Sequence, residues 1–346
     1  MENIVLIVGA GGSRELDVLT GNELVKKIVD NINYNPNYSP ENGEGQFSDL
    51  INQFLVLIDR GSHTPAANKE FFEDFLIPYK KDLDTWANSN GSLDAFLNQR
   101  KEGTEMEQFG KFAIAYYILG HEEWLMREQL FTFKENWLRH FLLEHIAPIK
   151  QTLIDRKVDI RIITFNYDRI IEHFLYNFLR HAGNPAVPGF DQSTGSDESK
   201  NVVDQLGIIH VYNKLADLEW QNREGATIRF GERNNDRGNL SRGSQTIRLI
   251  AETGIGRVSE ETIHEIRGTI EKAKKIYFLG FGFDDENMKI LFGDKVFDEV
   301  FTTTASCIAT SKWLPPQKKS KYPFINFYDM KCFEIMKDEG PFVIKV

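Results

Sequence analysis

Four short clusters in this chain combine residue types that bind phosphate or move protons. The first, Gly9-Ala10-Gly11-Gly12-Ser13-Arg14, follows the apolar run Ile4 to Val8. A strand ending in glycines lets backbone N–H groups approach a pyrophosphate, because glycine has no Cβ and tolerates positive φ. Arg14 would add charge-assisted hydrogen bonds, so a nucleotide is the first ligand expected. The dinucleotide fingerprint G-x-G-x-x-G asks for glycine where this chain has Arg14, and the turn alone does not separate a phosphate loop from a tight bend. The second cluster is Thr164-Phe165-Asn166-Tyr167-Asp168. Its Asn166 and Asp168 read either as site groups or as a cap and dipole partner for the next helix. The third, Ile209-His210-Val211-Tyr212-Asn213, offers His210 as a base or as a hydrogen-bonded core histidine. The fourth runs from Leu279 to Asp285, where Gly280 and Gly282 flank Phe281 and permit a turn.

All four fall at or just past the ends of predicted strands. Residues 1–33 read as strand, glycine turn and helix, with Leu24, Val25, Ile28, Val29 and Ile32 at helical spacing. A loop dense in turn formers follows, Asn33 to Gly43. From about 47 to 150 the periodicity is helical, with stripes such as Leu50, Ile51, Phe54, Leu55 and Ile58 and a break at Asn88 to Gly91, where Ser92 is a candidate N-cap. Residues 34–150 are therefore read as a helical insertion after the first βα unit, and 151–346 as the remainder of the same domain. Val158 to Phe165 predicts a strand backed by a helix through Ile170, Ile171, Phe174, Leu175 and Phe178. A breaker-rich loop, Gly183 to Ser199, leads to a short strand within Leu206 to Tyr212. Helix is expected at Glu260 to Lys274 and Glu286 to Phe292, and strand at Lys275 to Phe281, Ala305 to Ala309 and Phe324 to Tyr328. The alternation predicts an α/β protein, a Rossmann-like, mainly parallel, doubly wound sheet with an α-helical insertion, which binds ligands beyond the C-terminal strand ends.

Composition narrows the partners. A net charge of −10 opposes a general nucleic-acid surface, because counterion release needs clustered Lys and Arg. One segment holds six arginines between Arg223 and Arg248; it reads as a solvated loop or as an anionic-ligand or partner surface. Two cysteines, Cys307 and Cys332, cannot form a four-cysteine zinc site, and a reducing cytoplasm is the default. The chain starts on a strand and its apolar runs are far below the ~20 residues of a membrane span, so neither a signal peptide nor a membrane segment is expected. His140 and His145 are five apart and miss the i, i+4 face of H-E-x-x-H, so no metal is expected. Asp30 lies at about the spacing of a dehydrogenase ribose acid but on the first helix, and reads as a surface residue.

Taken in order, Gly9-Ala10-Gly11-x-Ser13, Thr164-x-Asn166-x-Asp168, Ile209-His210 and Gly280-x-Gly282 resemble the motif set of the sirtuin family, in its bacterial defence-associated NADase branch. Ser92-Leu93-Asp94-Ala95-Phe96-Leu97 also resembles a segment of that branch. The likeness spans residues 9–285. Two departures are the absent four-cysteine zinc module of sirtuin deacylases and Val211, where those enzymes usually carry glycine after the histidine.

The resemblance implies hydrolysis of NAD+ to ADP-ribose and nicotinamide. Asn166 would position the ribose or the attacking water, Asp168 would support that geometry and stabilise developing positive charge, and His210 would be the general base. Gly9, Ala10, Gly11, Ser13, Arg14 and Thr164 would hold NAD+ around its diphosphate, and Gly280, Phe281 and Gly282 would shape the adenosine side. It further implies control of a toxic activity in anti-phage abortive infection, through homo-oligomerisation and a separately encoded partner such as an ATPase, a nucleotide-sensing enzyme or an Argonaute-like protein. The same residues leave open a non-catalytic module binding NAD+ or ADP-ribose, and a zinc-free deacylase or ADP-ribosyltransferase.

Overall fold

A computed structural model describes residues 2–32, 49–58, 71–88, 93–98, 104–127, 135–181, 195–222, 227–232, 236–248, 258–293, 306–310, 314–337 and 340–344. Six strands form one all-parallel sheet: β1 (Glu2–Val8), β2 (Val158–Thr164), β3 (Ile208–His210), β4 (Lys275–Leu279), β5 (Ser306–Thr310) and β6 (Ile325–Tyr328), in the order 3-2-1-4-5-6. This is the doubly wound, Rossmann-like order, with its switch point between β1 and β4. Ile4 to Val8 are each at most 1% exposed, as expected of a central strand covered on both faces. The register aligns Val8 with Thr164 on one side and Leu279 on the other, and Thr164 with His210. Four of the predicted clusters therefore emerge along one edge of the sheet.

The helices that position this edge are α1 (Ala10–Arg14), α2 (Gly21–Asn31), α3 (Glu105–Arg127), α4 (Ile170–His181) and α5 (Arg237–Thr246). The sequence Thr20-x-x-Glu23 opens α2 as a capping box, Glu23 accepting the Thr20 N–H at 2.9 Å. The described parts of 47–150 are helical, as the spacing predicts. They share a continuous apolar cluster with one face of the sheet, from Val5, Ile7 and Phe278 to Phe54, Phe109 and Phe112. No helix among the described residues is long and apolar enough to cross a membrane. The expected loop at 33–43, the break at 89–91 and the Ser92 cap lie outside the described residues.

Two expectations change. Residues 195–205 form a helix (Gly195–Gln205) where the loop was predicted to reach Ser199; Val202 and Val203 are buried beneath its polar sequence, so packing decides. Within the arginine-bearing segment, Arg237–Thr246 is also a helix despite two glycines, because Asp236 caps the Asn239 N–H at 2.8 Å and Leu240 is buried. Arg242 there donates to the Thr227 carbonyl at 2.8 Å, so it braces the fold.

A buried ion pair fastens α3 to the strand edge. Arg169, at the head of α4, donates from Nε to Glu122 Oε1 at 3.2 Å, from a terminal nitrogen to Glu122 Oε2, and from the other to the Ile228 carbonyl; both side chains are 0% exposed. Glu122→Ala would strand the guanidinium in the interior and destabilise the protein by about 3–5 kcal/mol. Urea denaturation checks this, and a Glu122→Met, Arg169→Met pair is expected to recover most of the loss.

Candidate functional site

The glycine turn is shaped first by β4. Gly9 N–H donates to the Leu279 carbonyl at 3.0 Å and Gly11 N–H to the Gly280 carbonyl at 2.9 Å. A Cβ on either Gly9 or Gly11 would lie 2.7 Å from the Gly280 oxygen. Gly280 itself has φ +56°, and a Cβ there would meet the Gly12 nitrogen at 2.0 Å. These glycines are thus required by backbone packed on backbone. From behind, buried Trp137 donates its indole N–H to the Gly12 carbonyl at 3.0 Å.

On one side of the turn, the polar residues of β1 and β2 join. Asn166 Nδ2 donates to the Gly9 carbonyl at 3.2 Å and to Ser13 Oγ at 2.7 Å, and Ser13 Oγ donates to Asp168 Oδ2 at 3.0 Å. Because a carbonyl only accepts, the Gly9 contact fixes which end of the Asn166 amide is which. Asp168 Oδ1 accepts the Ile170 N–H at 3.2 Å, so this carboxylate caps α4 and holds Ser13 at once. Thr164 Oγ1 accepts the Asn166 N–H at 3.2 Å and sets the bend. Burial pushes the Asp168 carboxyl up to about 6; the Ile170 and Ser13 hydrogen bonds oppose this, and the Glu122 charge adds to it.

This network floors a cavity of about 420 Å3, within the range of small-molecule sites. Ala10, Ser13, Phe165, Asn166, Tyr167 and Asp168 form the sheet side; Ile114, Tyr116, Tyr117, His121 and Trp124 of α3 form the opposite wall. Asp17 stands at the rim with φ 61°, a left-handed conformation that carries strain in a non-glycine residue.

His210 is joined to this floor from behind and does not line the cavity. Its Nδ1 bonds the Asn166 carbonyl at 2.9 Å and its Nε2 meets Glu172 Oε1 at 2.8 Å, with the side chain only 6% exposed. Glu172, in turn, is held well below the usual carboxylate range by His210 and Lys214, against its own burial. Both ring nitrogens are therefore engaged, and His210 braces the Asn166 bend.

A smaller cavity of about 120 Å3 lies on the other side of the turn, lined by Gly11, Glu15, Gly280, Phe281, Gly282, Thr310 and Lys331 among others. Thr310 Oγ1 accepts the Gly280 N–H at 2.8 Å. Glu15 accepts the Phe333 N–H at 3.0 Å and also the Cys332 N–H; burial pushes its carboxyl up to about 7. Arg14 lines neither cavity and pairs with Glu23 at 2.9 Å. Among the described residues no three His, Cys, Asp or Glu side chains are grouped as a metal site.

Sequence reasoning did not single out Glu15, His121, Glu122, Arg169 or Glu172. A signal existed for Glu122, which interrupts the stripe Phe112, Ala115, Leu119 and Leu125 on α3. Together, fold and site define a Rossmann-like parallel α/β protein with a polar cavity at its switch point. No protein-family model matches the chain, and no curated protein sequence matches it significantly.

Two outcomes are expected. Gly280→Ala lowers stability by more than about 2 kcal/mol, whereas Gly282→Ala, whose Cβ meets nothing within 4 Å, stays within about 0.5 kcal/mol of wild type; chemical denaturation reads both. Glu15 has a folded value near 7 against an ordinary value of 4.5, so between these the folded state binds more protons than the unfolded one. Wild type should then lose stability relative to Glu15→Gln as pH rises from 4.5 through 7, a difference that vanishes below that window and is measurable by melting temperature.

Proposed function

We propose that the protein binds NAD+ across the Gly9 to Gly12 turn and hydrolyses the bond between nicotinamide and ribose. The observation that carries this reading is the placement of cavities on both sides of that turn, with Ala10 and Ser13 facing one and Gly11 and Glu15 the other. A ligand with two ends and a diphosphate between them fits such a crossing at the switch point. The polar network stands at one end alone, where the bond would be cut. The ordered likeness to sirtuin motifs supports the same assignment.

Nicotinamide leaves as a neutral molecule while positive charge grows on the ribose. Asp168 supplies a fixed, buried negative charge on that side of the cavity, worth more there than in water. Asn166, with its amide nitrogen held by Gly9 and Ser13, presents its oxygen as an acceptor for a ribose hydroxyl or the attacking water. Ser13 keeps the two side chains in register, and His210 keeps the Asn166 backbone in place. The α3 wall excludes bulk water. We extend the reading to regulated NAD+ depletion in anti-phage defence, with homo-oligomerisation and a separately encoded regulator. One observation favours a non-catalytic NAD+ or ADP-ribose binding module instead: both nitrogens of His210 are taken.

Purified protein, alone and with its operon neighbours, is incubated with NAD+ and nicotinamide release is followed. Asn166→Ala should cut the rate by about 10²-fold or more with the fold retained by circular dichroism. Full activity in that variant overturns the mechanism; ADP-ribose binding by calorimetry without release in any state favours the binding module.

A further inference from the structure

We infer that His121, on the α3 wall of the larger cavity, is the base that takes the proton of the attacking water, an assignment that rests on the hydrolytic reading above. His121 shares that cavity with Ser13, Asn166 and Asp168. Its Nε2 lies 3.0 Å from the Leu16 carbonyl oxygen. A carbonyl cannot donate, so Nε2 carries the ring proton and Nδ1 keeps its lone pair. Nδ1 has no hydrogen-bond partner among the described residues. The ring rests against Trp124, centroids 5.2 Å apart, which limits its orientation.

His210 offers the contrast. Its two nitrogens are bound to Asn166 and Glu172 outside the cavity lining, so a proton from the cavity has nowhere to go on that ring without breaking a bond. His121 is tautomerically fixed and has one free acceptor. Burial holds its pKa below the ordinary histidine value, against the Leu16 hydrogen bond and the Asp17 charge, so the ring is neutral and able to accept at neutral pH. The other titratable groups around the same cavity are Asp17 at the rim, Tyr116 and Tyr117 on α3 and Asp168 on the far wall.

The step balances. Water oxygen bonds to the ribose carbon as the carbon–nitrogen bond breaks, and its electron pair leaves with nicotinamide, which departs uncharged. The proton lost by the water passes to Nδ1, and the imidazolium then releases it to solvent. The products are ADP-ribose, nicotinamide and one proton.

The test compares wild type with His121→Gln, whose amide can keep donating to the Leu16 carbonyl while the acceptor nitrogen is lost. The expected result is a fall in kcat of about 10²- to 10⁴-fold with KM for NAD+ little changed, loss of the acidic limb of the pH–rate profile, and partial rescue of His121→Ala by added imidazole. A second measurement needs no variant: carbethoxylation of wild type by diethyl pyrocarbonate, mapped by mass spectrometry, should inactivate in step with His121 modification, and ADP-ribose should protect. Wild-type kcat in a folded His121→Gln, or full activity with His121 modified, overturns the base assignment and leaves the hydrolytic reading standing. Absence of nicotinamide release by wild type in every state overturns that reading, and the base with it.

Discussion

The Glu122–Arg169 pair is the contact on which the larger cavity depends. Each partner sits one residue from a group that faces the cavity: Glu122 follows His121, and Arg169 follows Asp168. Pinning the pair therefore pins both walls. Withdrawing two charges from water costs several kcal/mol per ion, and the cost is offset only when geometry and hydrogen bonds are nearly complete. Arg169 meets that condition with both Glu122 oxygens and the Ile228 carbonyl. A rigid, water-poor cavity wall follows, and the nearby Glu122 charge helps to raise Asp168.

The same economy of contacts governs the turn at β1. Its glycines look like a phosphate loop, yet Gly9 and Gly11 spend their N–H groups on β4, and Gly280 leaves no room for a side chain. Close approach of the two strand ends splits the C-terminal edge of the sheet into two cavities with the turn as the ridge between them. Residues consecutive in sequence then face different ends of a bound molecule. Asp168 shows a related double use, since one oxygen caps α4 and the other orders Ser13. The structural and the functional readings of that residue are both realised in a single carboxylate.

Much of the fold was legible in the chain. The β1 run of Ile4 to Val8, the Thr20-x-x-Glu23 box and the helical stripes between 47 and 150 carry local signals strong enough to be read without partners, and the strand ends were placed within two or three residues. The helices at Gly195–Gln205 and Arg237–Thr246 were not legible, because their sequences are polar or glycine-containing and their stability comes from buried Val202, Val203 and Leu240.

The sequence by itself determined the parallel α/β alternation and the four polar clusters at strand ends, since period, turn chemistry and residue type are local properties. Only the tertiary structure decided strand order, which of those clusters share a cavity, and which histidine keeps a free nitrogen. Those outcomes depend on hydrogen bonds between residues such as His210 and Glu172, or His121 and Leu16, that lie 38 and 105 positions apart. No local pattern encodes which acceptor a side chain will meet once distant segments pack together.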